Sequence, residues 1–131
     1  MHHTGLAAWT VAFCTAMTSA LAESNGLTIL KEAEFQAGMA QLFADQCDGV
    51  ALDDNARRIH FLQMDQRLIA IGVNPSTAGV RFSSADFAEL NRTLVARHGF
   101  DHDTTRDEFC AAAERERTEA TAIGKMLRRE E

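Results

Sequence analysis

The sequence of 131 residues contains no tyrosine, one tryptophan and one proline. Proteins that bind single-stranded nucleic acid stack bases on aromatic side chains, and here that role would fall on phenylalanines that the core needs. The sequence also contains no G-x-S-x-G, no H-E-x-x-H and no glycine-rich nucleotide loop. We therefore expect neither catalysis nor a cofactor.

Positive charge is scarce as well, because 13 Lys and Arg residues face 19 Asp and Glu residues, which gives a net charge of −6. An acidic protein is repelled by nucleic acid and by anionic membrane surfaces. The charge balance therefore predicts no nucleic-acid partner and no membrane partner for the mature chain.

The first 22 residues contain no Lys, Arg, Asp or Glu. The stretch from Leu6 to Ala22 is apolar with scattered Thr and Ser, and it ends in A-L-A, the pattern of a signal-peptidase site. This predicts a signal peptide at 1–22 and an exported domain at 23–131, either periplasmic or secreted. The alternative is a retained membrane anchor, since about 18 uncharged residues can cross a bilayer.

Removal of the signal peptide would leave two cysteines, Cys47 and Cys110. An even number of cysteines in an exported chain predicts a disulfide. The bond would close a loop of about 63 residues and stabilise the fold by roughly 4 kcal/mol. A redox pair usually has the C-x-x-C spacing, which is absent, and a zinc site needs further ligands near the cysteines.

Four segments have apolar residues at steps of three and four, which is the period of an amphipathic helix. The predicted helices are 28–48, 54–72, 84–98 and 106–129. Residues suited to N-caps stand at the start of all four: Thr28, Asp53 or Asp54, Ser83 or Ser84, and Thr105. Glycines end the first three: Gly49, Gly72 and Gly99. No strand is expected. The predicted fold is all-α, a compact, orthogonal four-helix bundle with one disulfide, in which the second helix is the most buried.

The segment HGFDHD places four potential metal ligands between the third and fourth helices: His98, Asp101, His102 and Asp103. Imidazole and carboxylate groups suit zinc and related ions. However, Gly99 breaks the helix, so the spacing of the two histidines has no helical geometry behind it. His98 also falls on an apolar stripe, which favours a histidine at the edge of the core, so we expect no metal here.

The longest irregular stretch is GVNPSTAGVRFS, which connects the second and third helices. Loops of this length can bind partners, and Asn74, Pro75, Ser76 and Thr77 are the candidate residues. The alternative is a simple connector. The stretch lacks the Gly-Lys pattern of a phosphate-binding loop.

Three features resemble a family of small exported alphaproteobacterial proteins catalogued as a domain of unknown function, DUF5333. They are Cys47 near the end of the first helix, the Phe109-Cys110 pair that opens the last, and the tail IGKMLRR. The likeness spans most of residues 27–129. It implies a signal peptide, a helical domain with one cysteine pair and a periplasmic location, but it implies no activity.

The function that the sequence favours is a noncatalytic exported protein that binds another protein or serves as an accessory subunit. One alternative is a metal-binding or hydrolytic protein that uses the loop from His98 to His102. Another is a carrier of a small ligand in a pocket lined by Phe61, Met64 and Leu68.

Overall fold

The computed structural model describes residues 5–77 and 81–131, with side chains described from residue 21 onward except that of Thr77. The helices are α1 (Gly5–Gln46), α2 (Asp54–Ala70), α3 (Ala88–His98) and α4 (Arg106–Glu119), and two short strands are β1 (Val50–Leu52) and β2 (Leu127–Arg129). Single 3-10 turns occupy Pro75–Thr77, Ser84–Phe87 and Gly124–Met126. The predicted compact all-α fold is confirmed.

The signal-peptide prediction falls on 1–22, and the side chains of residues 1–20 lie outside those described. Helix α1 nevertheless begins at Gly5 and passes without a break through Thr28, where the sequence predicted its start. Thr28 lies inside the helix, where its hydroxyl donates to the carbonyl of Ser24 at 3.2 Å. Gly26 lies close to the end of α2, because a Cβ added to it would lie 3.6 Å from Leu68 in that helix and 3.2 Å from Val73 just after it.

Helix α2 begins where the sequence predicted, because the carboxylate of Asp53 accepts a hydrogen bond from the backbone N–H of Ala56 at 2.9 Å. It ends beside Gly72, whose φ of 81° belongs to the left-handed region that glycine adopts without strain. The helix then runs antiparallel alongside α1. Arg57 reaches Gln41 near one end, and Leu68 packs against the smaller apolar cluster near the other. These two helices therefore do not show the steep crossing that the sequence predicted.

The prediction that this helix is the most buried was wrong. Of the 17 residues of α2, only Leu68 is buried. Three of its large apolar residues are exposed, with fractional exposures of 43% for Ile59, 53% for Leu62 and 65% for Ile69. The apolar positions surround the helix, but α1 covers only one side of it.

The end of α3 and the start of α4 are as predicted, whereas Ser83 caps the 3-10 turn Ser84–Phe87 and α3 itself begins only at Ala88. Ser83 and Asp86 bond each other ahead of α3, and Gly99 ends that helix with a φ of 69°. Thr105 starts α4 by accepting a hydrogen bond from the backbone N–H of Glu108 at 3.2 Å.

The predicted fourth helix does not continue to Arg129. It ends at Glu119, because Ala120 turns into the left-handed region with a φ of 51°. Strand β2 follows a tight turn and pairs antiparallel with β1, so that Leu127 faces Leu52. The residues Ile123 and Leu127 are buried at 4% and 6% exposure, so the apolar spacing that resembled a helix stripe serves a turn and a strand.

The core consists of two apolar clusters. The larger joins α1, α4 and the C-terminal turn around Phe43, Ala112 and Met126, each at most 1% exposed. The smaller contains Ile29, Leu30 and Leu68 between α1 and α2. A disulfide joins Cys47, just after α1, to Cys110 in the second turn of α4, with a Cα–Cα distance of 5.4 Å. The predicted disulfide is therefore confirmed.

We expect the double variant Cys47→Ala, Cys110→Ala to unfold with a free energy about 4 kcal/mol below that of the oxidised wild type. The reason is that the unfolded chain regains the freedom removed by a cross-link over 63 residues. Urea denaturation measures the difference. A reductant should weaken the wild type and leave the variant unchanged. A loss below about 1 kcal/mol, or a free thiol in the unreduced wild type, would contradict this expectation.

We expect Gly124→Ala to destabilise the fold by about 3 kcal/mol, because a Cβ there would lie 1.7 Å from the backbone carbonyl oxygen of Glu116. This carbonyl belongs to the backbone of α4, so it cannot move aside from the added Cβ as a flexible side chain could. Gly38 is the matched control, since it lies inside α1 with nothing within 4 Å of a Cβ, and Gly38→Ala should stabilise by about 0.5 kcal/mol. Equal melting temperatures for the two variants would refute the close approach at Gly124.

Candidate functional site

The four candidate metal ligands of the HGFDHD segment do not come together. His98 points inward and is 4% exposed, whereas His102 and Asp103 are 90% and 82% exposed and face each other at 3.3 Å. Asp101 accepts a hydrogen bond from the backbone N–H of Asp103 at 2.8 Å and thereby shapes the loop. In the described part of the chain, no three His, Cys, Asp or Glu side chains are grouped to hold a metal ion.

His98 instead contacts a buried carboxylate, that of Glu116 in α4. Nε2 of His98 lies 2.6 Å from Oε1 of Glu116, and Arg97 donates to the same oxygen. The other oxygen accepts from the hydroxyl of Thr121. Glu116 has no exposed surface, and no other Asp, Glu, Lys or Arg among the residues with described side chains is buried. The carboxylate therefore joins α3, α4 and the turn that follows α4.

Opposing effects set the pKa of Glu116. Burial alone would raise it, because a charged carboxylate loses its hydration. The hydrogen bonds from Thr121, His98 and Arg97, together with the positive charge of Arg97, outweigh burial and hold the pKa below its usual value. Glu116 is thus ionised at neutral pH. Since its two oxygens are both engaged by protein groups, the arrangement stabilises the fold and leaves no oxygen free to act on a substrate.

A cavity of about 120 Å³ lies beside this network, between α1, α3 and the turn after α4. It is well below the roughly 300 Å³ at which pockets for drug-sized ligands begin. The three residues predicted to line a carrier pocket are not found together. Phe61 packs against the larger core cluster, whereas Met64 and Leu68 belong to the smaller one.

The candidate partner-binding loop contains a local bond network. The side-chain oxygen of Asn74 accepts from the backbone N–H of Ser76 at 3.1 Å and from its hydroxyl at 2.7 Å. Pro75 begins the 3-10 turn that ends at Thr77. These bonds explain how the turn is shaped, and a binding role for this loop stays a prediction.

One side of α2 exposes several large apolar residues among those with described side chains. Five exposed residues follow one another at steps of four and three, which places them on a single face: Asn55, Ile59, Leu62, Gln66 and Ile69. We call this the outer face of α2. It lies opposite the fully buried Leu68. An exposed apolar stripe of this kind marks an interaction surface more often than an isolated exposed leucine does.

Sequence reasoning missed both Glu116 and the outer face of α2. The run from Arg115 to Glu119 has the composition of a solvated helix surface, and Glu114, just before it, pairs with Arg117. The signal for Glu116 was its position three residues after Ala113, on the apolar side of α4. The signal for α2 was that its apolar residues surround the helix, which requires either full burial or a partner.

We expect Glu116→Gln to lower the free energy of unfolding by about 2 kcal/mol at pH 7, because the amide loses the charge that Arg97 and Thr121 stabilise. The neighbouring Glu114→Gln is the matched control. Glu114 is 43% exposed, so its loss should cost about 0.5 kcal/mol. Denaturant titrations of both variants measure the contrast, and equal losses would contradict the role assigned to Glu116.

The stabilisation that the carboxylate of Glu116 gives the fold should decrease as pH falls. The folded pKa of Glu116 lies below its unfolded value, so the unfolded state binds more protons in acid. Its stabilisation is complete above the ordinary glutamate pKa of about 4.3 and disappears as pH falls through the folded pKa. The gap between wild type and Glu116→Gln should therefore narrow in acid, and a gap that widens would refute the assignment.

Among the residues whose side chains are described, no helix is long and apolar enough to cross a membrane. In comparisons with known proteins, no family model, no curated protein and no solved structure matches the chain. The resemblance to the uncharacterised exported family stays a prediction.

Proposed function

We propose that this protein is a noncatalytic, exported protein-binding module whose binding surface is the outer face of α2. The exposure of Ile59, Leu62 and Ile69 carries the proposal, since each leaves two-fifths or more of its surface in water. Exposure of three large apolar side chains to water is unfavourable, and their burial against a protein partner would be favourable.

The buried chemistry supports a noncatalytic role. Catalytic carboxylates need access to a substrate and an environment that tunes them near the working pH. Glu116 has neither, because it is enclosed and its pKa is lowered. The side chains of His102 and Asp103 are 90% and 82% exposed, so solvent surrounds this pair.

The proposed location rests on two observations. The disulfide between Cys47 and Cys110 favours an oxidising compartment, because cytosolic proteins keep their thiols reduced. The apolar, uncharged stretch before Glu23 with its A-L-A pattern supplies a route to that compartment. Together they favour the periplasm or the cell exterior.

A photo-crosslinking residue at position 62 tests the proposal in cells that export the chain. We expect a discrete crosslinked protein from this position, because Leu62 lies at the centre of the outer face of α2. The same residue at position 92 is the control, since Arg92 is exposed on a different helix, α3. No crosslink at 62, or the same products at 62 and 92, would contradict the proposed binding surface.

A further inference from the structure

The charges beside the outer face of α2 identify a partner that fits it. Building on the proposed function, we propose that this surface binds a second copy of the chain through antiparallel pairing of the two α2 helices. Such a pairing is closed by a two-fold axis, so that each contact occurs twice.

The first observation is the placement of two opposite charges. Arg58 and Asp65 lie seven residues apart, which is two helical turns or about 10.5 Å along the axis. Both line a groove of about 370 Å³ along one edge of the outer face, together with Phe61 and Leu62. Asp54 and Arg57 also line the end that holds Arg58, so that end has one net positive charge. Asp65 makes the other end negative, and Phe61 and Leu62 lie between the two ends.

The second observation is that these charges are available. No hydrogen bond or ion pair engages the side chain of Asp65 within the described residues. Arg58 donates only to Asn55, one turn away on the same helix, at 2.7 Å. Both side chains border solvent, so a new ion pair would require little rearrangement of this chain.

A two-fold axis between residues 61 and 62 satisfies both charges at once. Because the helices are antiparallel, this axis sets Arg58 opposite the partner's Asp65, and Asp65 opposite the partner's Arg58. Leu62 then contacts the partner's Leu62 at the axis. Ile59 packs one turn away, between the partner's Leu62 and Gln66, as side chains interlock in paired helices.

The size and charge of the surfaces set the strength of the pairing. A single pair of short helices buries less than a standard interface of about 1,600 Å², so the association should be transient. Two chains of net charge −6 also repel each other at long range. We therefore expect a dissociation constant of about 10 µM or weaker.

Charge reversal tests the pairing with the whole oxidised chain. In sedimentation equilibrium, the wild type should show a concentration-dependent dimer. Arg58→Asp makes both groove charges negative, and Asp65→Arg makes both positive, so each should weaken self-association at least about tenfold. An equimolar mixture of the two variants should recover a mixed dimer, detected by native mass spectrometry. The control, Arg92→Asp, changes the net charge equally and should dimerise like the wild type.

The outcomes separate the two proposals. Each of three results would overturn the antiparallel pairing. The wild type could stay monomeric at about 1 mM in sedimentation equilibrium. The single variants could dimerise like the wild type, or their mixture could fail to recover a dimer. If the chain is monomeric yet crosslinks to a different protein from position 62, the binding surface stands and the second copy is rejected. If the chain is monomeric and position 62 gives no crosslinked protein, both proposals fail.

Discussion

The carboxylate of Glu116 adds polar contacts between α3, α4 and the turn after α4, which the larger apolar cluster also joins through Leu94, Ala113 and Ile123. It accepts hydrogen bonds from Arg97 and His98 at the end of α3 and from Thr121 in the turn after α4. The same turn is held by Gly124, whose backbone lies against the carbonyl of Glu116 and donates its N–H to Thr121 at 3.0 Å. A buried charge is tolerated only when its oxygens are satisfied, so these partners have to be assembled together.

That turn also brings the C-terminal strand back to the link between α1 and α2. Once the backbone reverses after Ala120, β2 reaches β1 in the link between α1 and α2. The N–H of Asp53 donates to the carbonyl of Met126 at 2.8 Å, so the N-cap of α2 is attached to the turn. The disulfide fixes the start of the same link, because Cys47 directly follows α1. The strand pairing, the N-cap of α2 and the disulfide therefore all fix the link between α1 and α2.

The sequence predicted those features that depend on contacts between residues close together in the chain. The caps at Asp53, Ser83 and Thr105 and the stop at Gly99 are local bonds that residue type alone favours, and the cysteine count indicated the disulfide. The end of α4 could not be predicted in this way. Ile123 and Leu127 lie four residues apart, a spacing that suits a helix face as well as a turn followed by a strand. Only the close approach of Gly124 to Glu116, a tertiary contact, decides between them.

The position of α2 could not be predicted for a related reason. A helix with apolar residues on every side is consistent with complete burial, and the sequence does not say how many elements surround it. In the structure α1 covers one side, where Leu68 and Met64 pack against Ile29 and Leu30.

Burial of that side already accounts for the attachment of α2, so Ile59, Leu62 and Ile69 contribute little to folding of the single chain. Polar residues at these positions would leave the contacts of Leu68 unchanged and would remove the cost of exposing apolar surface to water. The proposed interaction outside the single chain would account for apolar side chains that the fold does not need. Among the residues with described side chains, the outer face of α2 therefore gathers three of the six large apolar residues that remain exposed, the others being Leu21, Leu27 and Leu42.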